Sequence, residues 1–172
     1  MSLFWQPEGA VTTVLSMTKR SDYALLALSH LAISAVQSPL KLINTKEIAE
    51  QFEIPTELLA KILQVLAKHG IVASHPGPTG GYRLLRNPSE ISVSEVMTIV
   101  DGPPSLLHCS NGQESECRQY DRCTIRSPLG EIESRVKALL ETISLEDISG
   151  TAISPKFLDF SEREFAAGIQ LG

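Results

Sequence analysis

From Met17 onward, apolar residues recur in helical steps. Leu25, Leu28, Ala32 and Ala35 fall on one face of a helix running to about Val36, with Leu26, Leu31 and Ile33 on its flanks. Apolar residues on so many sides predict a mostly buried helix. Ser21 or Asp22 is placed to cap its start, and Pro39 breaks the pattern. A short second helix, 46–52, follows an Asn44 or Thr45 cap, with Glu47 as capping-box partner and Ile48, Ala49 and Phe52 apolar. The turn Glu53-Ile54-Pro55 leads into a third helix, 56–69, apolar at Leu58, Leu59, Ile62, Leu63, Val65 and Leu66. Gly70 suits its left-handed C-cap.

The period then changes. Residues 71–74 and 82–85 read as two strands of a hairpin whose long tip is His75-Pro76-Gly77-Pro78-Thr79-Gly80-Gly81, and Asn87-Pro88 closes it. A second capping box, Ser92 and Glu95, opens a helix to about Asp101, which Gly102-Pro103-Pro104 terminates. Residues 105–126 have no usable period. Ser127 then caps, and Pro128 takes the first position of a long helix to about Ile143. Leu129, Ile132, Val136, Leu139, Leu140 and Ile143 form a near-heptad seam along it, and Ser144 caps a short turn, 145–148.

The expected fold is mostly α with a small β-hairpin wing: a winged helix-turn-helix followed by a long C-terminal dimerisation helix. The expected segments are an N-terminal extension (1–16, with Met17 as the natural start) and a DNA-binding domain (17–88). A connecting helix (89–104), a cysteine-rich loop (105–127), a dimerisation region (128–148) and a tail (149–172) complete the chain.

Composition narrows the class. Apolar residues make up 42% of the 172 residues and charged residues 20%, which excludes a disordered chain. No apolar run is long enough to span a bilayer, and residues 1–16 lack the basic start of a signal peptide, so a cytoplasmic location is expected. The net charge of −5 argues against nucleic acid until its distribution is read. Residues 17–86 carry eight Lys/Arg against five Asp/Glu, whereas residues 87–172 carry seven against fourteen. A mildly basic half joined to an acidic half suggests a DNA-facing part and a separate sensing or assembly part.

In a winged helix-turn-helix the second helix of the pair enters the major groove, while the wing touches backbone or minor groove. Here the outward N-terminal positions of that helix are Thr56, Glu57, Ala60, Lys61 and Gln64. Lys61 suits a phosphate or guanine, Gln64 adenine, and Glu57 the amine of cytosine. Lys19, Arg20, Thr45 and Lys46 are placed for phosphates at helix starts, and His75, Thr79, Tyr82 and Arg83 belong to the wing. Glycines in the tip let backbone N–H groups approach phosphates. Each cation taken singly is equally compatible with a solvated surface. The heptad seam is expected to meet its copy in a homodimer, matching an operator of two half-sites.

Cys109, Cys117 and Cys123 are the chain's three cysteines, and all lie within fifteen residues. An odd number without a secretory signal does not read as a disulfide framework. Thiolates suit zinc, copper(I) or iron–sulfur clusters, and the long spacings fit a loop around a cluster better than a tight zinc site. Arg118, Arg122 and Arg126 are placed to offset cluster charge. Zinc and bare, oxidant-sensitive thiols remain alternatives, as does a metal carrier whose helix-turn-helix is only an interaction platform. No nucleophile–base pair, phosphate-binding loop or metalloprotease spacing points to an enzyme.

The stretch Met17-Thr18-Lys19-Arg20-Ser21-Asp22-Tyr23-Ala24-Leu25 resembles the opening of the Rrf-two family of bacterial winged-helix regulators. So do Lys46-Glu47-Ile48-Ala49, Ile54-Pro55, Gly70-Ile71-Val72, the wing Gly77-Pro78-Thr79-Gly80-Gly81-Tyr82, Val100-Asp101-Gly102 and the three cysteines before a long helix. The resemblance covers roughly residues 17–148. It implies a homodimeric transcription regulator, a repressor, with a 2Fe–2S or 4Fe–4S cluster on Cys109, Cys117 and Cys123 that senses redox state, nitric oxide or iron supply. IscR-like members take a fourth ligand from a His three residues after the last cysteine, where this chain has Arg126. NsrR-like members use an Asp near the start of the first helix, donated by the other subunit, and Asp22 holds the matching place. His108, beside Cys109, and an exogenous ligand are the other candidates.

Overall fold

Helix α1 (Lys19–Gln37) starts earlier than the sequence caps predict. Its N-cap is Thr18, whose hydroxyl accepts from the Ser21 amide at 3.2 Å. Ser21 is buried and turned toward a helix eighty residues away, a long-range contact that no local capping rule contains. Leu25, Leu28 and Ala32 are buried as expected, but Leu26 and Ile33 are exposed, so within one chain the helix is covered on one side only. The computed structural model describes residues 17–77, 79–103, 105 and 118–150. The 1–16 extension, His108, Cys109, Cys117 and the tail beyond Gly150 lie outside the described residues.

Helix α2 (Thr45–Gln51) is capped by Asn44, which accepts from the Glu47 amide at 2.8 Å. The Glu47 carboxylate does not close the expected box; it lies 3.9 Å from Lys41 Nζ. Glu53 adopts a left-handed φ of 54° in the turn that leads to α3 (Thr56–Lys68), and Gly70, at φ 72°, reverses the chain after it. Strand β1 (Val72–His75) pairs antiparallel with β2 (Gly81–Leu84), one residue out from the expected spans, with Val72 opposite Leu84.

A single 3₁₀ turn (Pro88–Glu90) precedes α4 (Val93–Asp101). Ser92 caps it, but Glu95 closes no box because its carboxylate takes Arg86 at 2.6 Å. Helix α5 (Arg126–Thr142) begins before the predicted Ser127 cap, leaving Ser127 and Pro128 in its first turn, where a missing N–H costs no helical bond. Helix α6 (Leu145–Ile148) has the full reciprocal box between Ser144 and Asp147.

One buried cluster unites these elements. Leu28, Ile48, Leu59, Ile62, Leu63 and Leu66 from the first three helices share it with Ile71, Ile91, Val96 and Leu145. Burying each such side chain contributes about 1.5–3 kcal/mol. The C-terminal elements are stitched in by backbone: Val93 N–H donates to the Ile143 carbonyl at 2.9 Å, and Leu145 N–H to the Ile91 carbonyl at 2.7 Å.

Candidate nucleic-acid interface and cysteine segment

Helix α3 is sharply two-sided. Leu59, Ile62, Leu63 and Leu66 are buried, while Thr56, Glu57, Lys61 and Gln64 are exposed. Glu57, Lys61 and Gln64 step by four and three and so line one row. Lys68 extends that row by another four residues and is also exposed. Lys68 is not among the contacts expected from the sequence, although its spacing from Gln64 is the signal that finds it. On α2, Thr45 is half-buried, and exposed Lys46 sits 3.6 Å from Glu50 in a solvated pair.

The wing stands beside this pair of helices because Tyr82 and Ile43 form a backbone bridge. His75 and Thr79 are exposed near its tip, and Arg83 is half-buried. The glycines have a packing reason as well as the proposed phosphate one. A Cβ on Gly81 would lie 2.5 Å from the Ile43 carbonyl oxygen, and one on Gly80 would lie 2.1 Å from that of His75. Gly77 holds a φ of 118°, which side chains disfavour.

At the start of α1, Lys19 and Arg20 are exposed and Asp22 lies on the outward side of the first turn. Helical spacing puts Asp22, Leu26, Ile33 and Val36 within one arc. Behind them, the Asp101 carboxylate closes the end of α4. It accepts from the Thr18 hydroxyl and, at 2.5 Å, from the Ser21 hydroxyl, with Arg20 Nη1 3.8 Å away.

Of the three cysteines, Cys123 lies among the described residues. It is half-buried, after a 3₁₀ turn (Tyr120–Arg122) and just before α5. Arg126 folds back from it: its guanidinium stacks 4.1 Å from the Tyr120 ring centre and Nη1 donates to the Tyr120 carbonyl at 3.0 Å. A guanidinium has no lone pair to give, so this position supplies no ligand. Cys123 instead stands at the positive end of a 17-residue helix, a setting that suits an anionic, sulfur-ligated group. Among the described residues no three His, Cys, Asp or Glu side chains gather to hold a metal.

Along α5, Ile132 is 48% exposed and Leu139 42%, one heptad apart, with exposed Ile125 a heptad before them. Leu129 and Val136 are half-buried. Leu140 and Ile143, read as part of the same seam, pack instead against the chain's own core. The seam therefore divides between an inner and an outer face. No helix among the described residues is long and apolar enough to cross a membrane.

The family model of Rrf2, an iron-dependent transcriptional regulator, matches residues 17–151. An rrf2-like HTH-type transcriptional regulator of Rhodobacter capsulatus is 34% identical over 136 residues, covering 77% of this chain and 91% of the relative. IscR of Aliivibrio salmonicida is 33% identical over 134 residues, covering 78% and 77%. NsrR of Bacillus licheniformis is 30% identical over 134 residues, covering 78% and 92%. Among solved structures, CymR, described as the global cysteine regulator of Bacillus subtilis, superposes with a TM-score of 0.61 at 21% identity, covering 80% of this chain and 98% of that one. IscR of T. potens superposes at 0.56 and 22%, covering 92% and 94%. These two likenesses establish the winged-helix fold, and the sequence matches carry the rest: the chain belongs to the Rrf2 family of transcriptional regulators.

Proposed function

We propose that this regulator is a repressor that binds duplex operator DNA as a homodimer and sets its affinity by an iron–sulfur cluster. The observation that carries the DNA-reading part is the exposed row Glu57–Lys61–Gln64 on α3, with the wing pinned beside it through Tyr82 and Ile43. Lys61 and Gln64 would meet base edges or phosphates; Thr56 and Glu57 flank them, and Lys19, Thr45, Lys46, His75, Thr79 and Arg83 would hold the backbone. The outer face of α5, with Leu129, Ile132, Val136 and Leu139, would meet its copy.

Cys109, Cys117 and Cys123 would hold the cluster, with Asp22 of the facing subunit as the first candidate for the fourth position. A bound cluster would supply a redox- and nitric-oxide-sensitive group whose presence biases the conformers that contact it. Support for it comes from the clustered thiols, the electropositive setting of Cys123 and the kinship with IscR and NsrR. The second reading, in which thiols sense oxidants directly without a cluster, draws on the arginines that flank Cys117 and Cys123.

The test is anaerobic purification followed by a visible spectrum and iron and sulfide analysis. Brown protein with matched iron and sulfide is expected. A colourless product with stoichiometric zinc overturns the cluster, and a colourless, metal-free product that forms a disulfide on oxidation selects the second reading.

A further inference from the structure

The Asp101 carboxylate gathers groups from the first turn of α1 although eighty residues separate them in sequence. Its Oδ2 accepts from both Thr18 and Ser21, and its side chain is only 18% exposed. Thr18 is also the N-cap of α1, so the Ser21 amide, the Thr18 hydroxyl and the Asp101 carboxylate form a relay in which each group fixes the next. Charge-assisted bonds of this kind are stronger than neutral ones, and low exposure limits competition from water. Arg20 adds a weaker, more exposed attraction at 3.8 Å.

The place of Asp101 in the chain gives the arrangement a second meaning. It is the last residue of α4, and Gly102 at φ 91° turns the chain directly into Pro103-Pro104 and the cysteine segment. Only residues 102–104 separate Asp101 from that segment, so its carboxylate anchors the near end of the segment to α1. Lys19, Arg20 and Asp22 belong to the first turn of α1 that this carboxylate holds.

We infer that Asp101 is a positioning residue that links the cysteine segment to the first turn of α1, and through that turn to the proposed phosphate contacts Lys19 and Arg20. This rests on the reading that the cysteine segment is the sensing part. Coupling between two sites is reciprocal: if the state of the cysteine segment alters DNA affinity, bound DNA must alter the state of that segment.

The experiment uses the full-length, cluster-free, reduced protein and a short mixed-sequence DNA duplex at low salt. Alkylation of the three cysteines by iodoacetamide is timed with and without saturating duplex. In the wild type, DNA is expected to change the alkylation rate of at least one cysteine by about fivefold or more, the low end of ordinary coupling. In Asp101→Asn, and in the double variant Thr18→Val/Ser21→Ala, which keeps the carboxylate and removes its donors, the rates with and without DNA should converge. Melting curves identify which variant is folded, and either one suffices. Unchanged thiol rates in the wild type overturn the link, and an equal DNA effect in wild type and variants overturns the role of Asp101. Cluster content is read separately by iron and sulfide, so a missing cluster and a missing link give different results.

Discussion

Tyr82 and Ile43 exchange both backbone hydrogen bonds, Tyr82 N–H to the Ile43 carbonyl at 2.8 Å and Ile43 N–H to the Tyr82 carbonyl at 3.0 Å. This one pair fixes where the wing stands relative to α2 and α3. Gly81 leaves room for it, since any side chain there would meet the Ile43 backbone. Gly81→Ala should therefore cost about 1–3 kcal/mol, as overpacking does. Urea unfolding measures that loss, and DNA binding should fall beyond what the lost stability explains. An alanine variant as stable as wild type would mean the bridge yields easily.

The divided seam on α5 separates two kinds of failure. Leu139→Asp places a charge on the outer face and should give a folded monomer by light scattering, with a melting curve close to wild type. Leu140→Asp drives a charge toward the chain's own core and should lower stability by several kcal/mol. A stable dimer in Leu139→Asp would move the partner contact elsewhere, with the exposed Leu26–Ile33 side of α1 the next surface to test.

Lys61 and Gln64 should behave differently although they share one row. If Lys61 neutralises a phosphate, Lys61→Ala weakens binding to all sequences and reduces the salt slope by about 1. Gln64→Ala should instead relax preference at one base pair, by about 1–3 kcal/mol. Binding titrations across salt concentration and across single-base operator variants separate the two. Lys68→Ala should follow the Lys61 pattern more weakly.

The fourth ligand is open to direct test because Arg126 is engaged with Tyr120. After anaerobic reconstitution, Asp22→Ala should shift the visible spectrum and speed cluster loss, whereas His108→Ala should not. If both match wild type while each cysteine variant bleaches the protein, the position belongs to an exogenous ligand.

Local chemistry made most of the helices legible. Asn44, Ser92 and Ser144 accept from the amides three residues on, as their positions predict, because those bonds close within one turn. Ser21 misled for the opposite reason: its partner Asp101 is distant in sequence. Glu47 and Glu95 likewise left their expected boxes and lie toward Lys41 and Arg86, cations that the local capping pattern does not take into account. Periodicity also read Leu26 and Ile33 as core, because it marks an apolar position without saying what covers it. In the candidate site, the α3 row followed from helical spacing alone. The Asp101 cluster did not, being made wholly of tertiary contacts.

Leu145 has a consequence for how the protein is made. It fills the core shared with α1 and α3, and its amide is tied to Ile91, yet it lies beyond all three cysteines in the chain. A nascent chain that has emerged only as far as the wing still lacks one of its largest buried side chains, and the loop holding the cysteines must close before that gap is filled. Synthesis thus presents the thiols before the DNA-reading half is complete, so the two parts mature together.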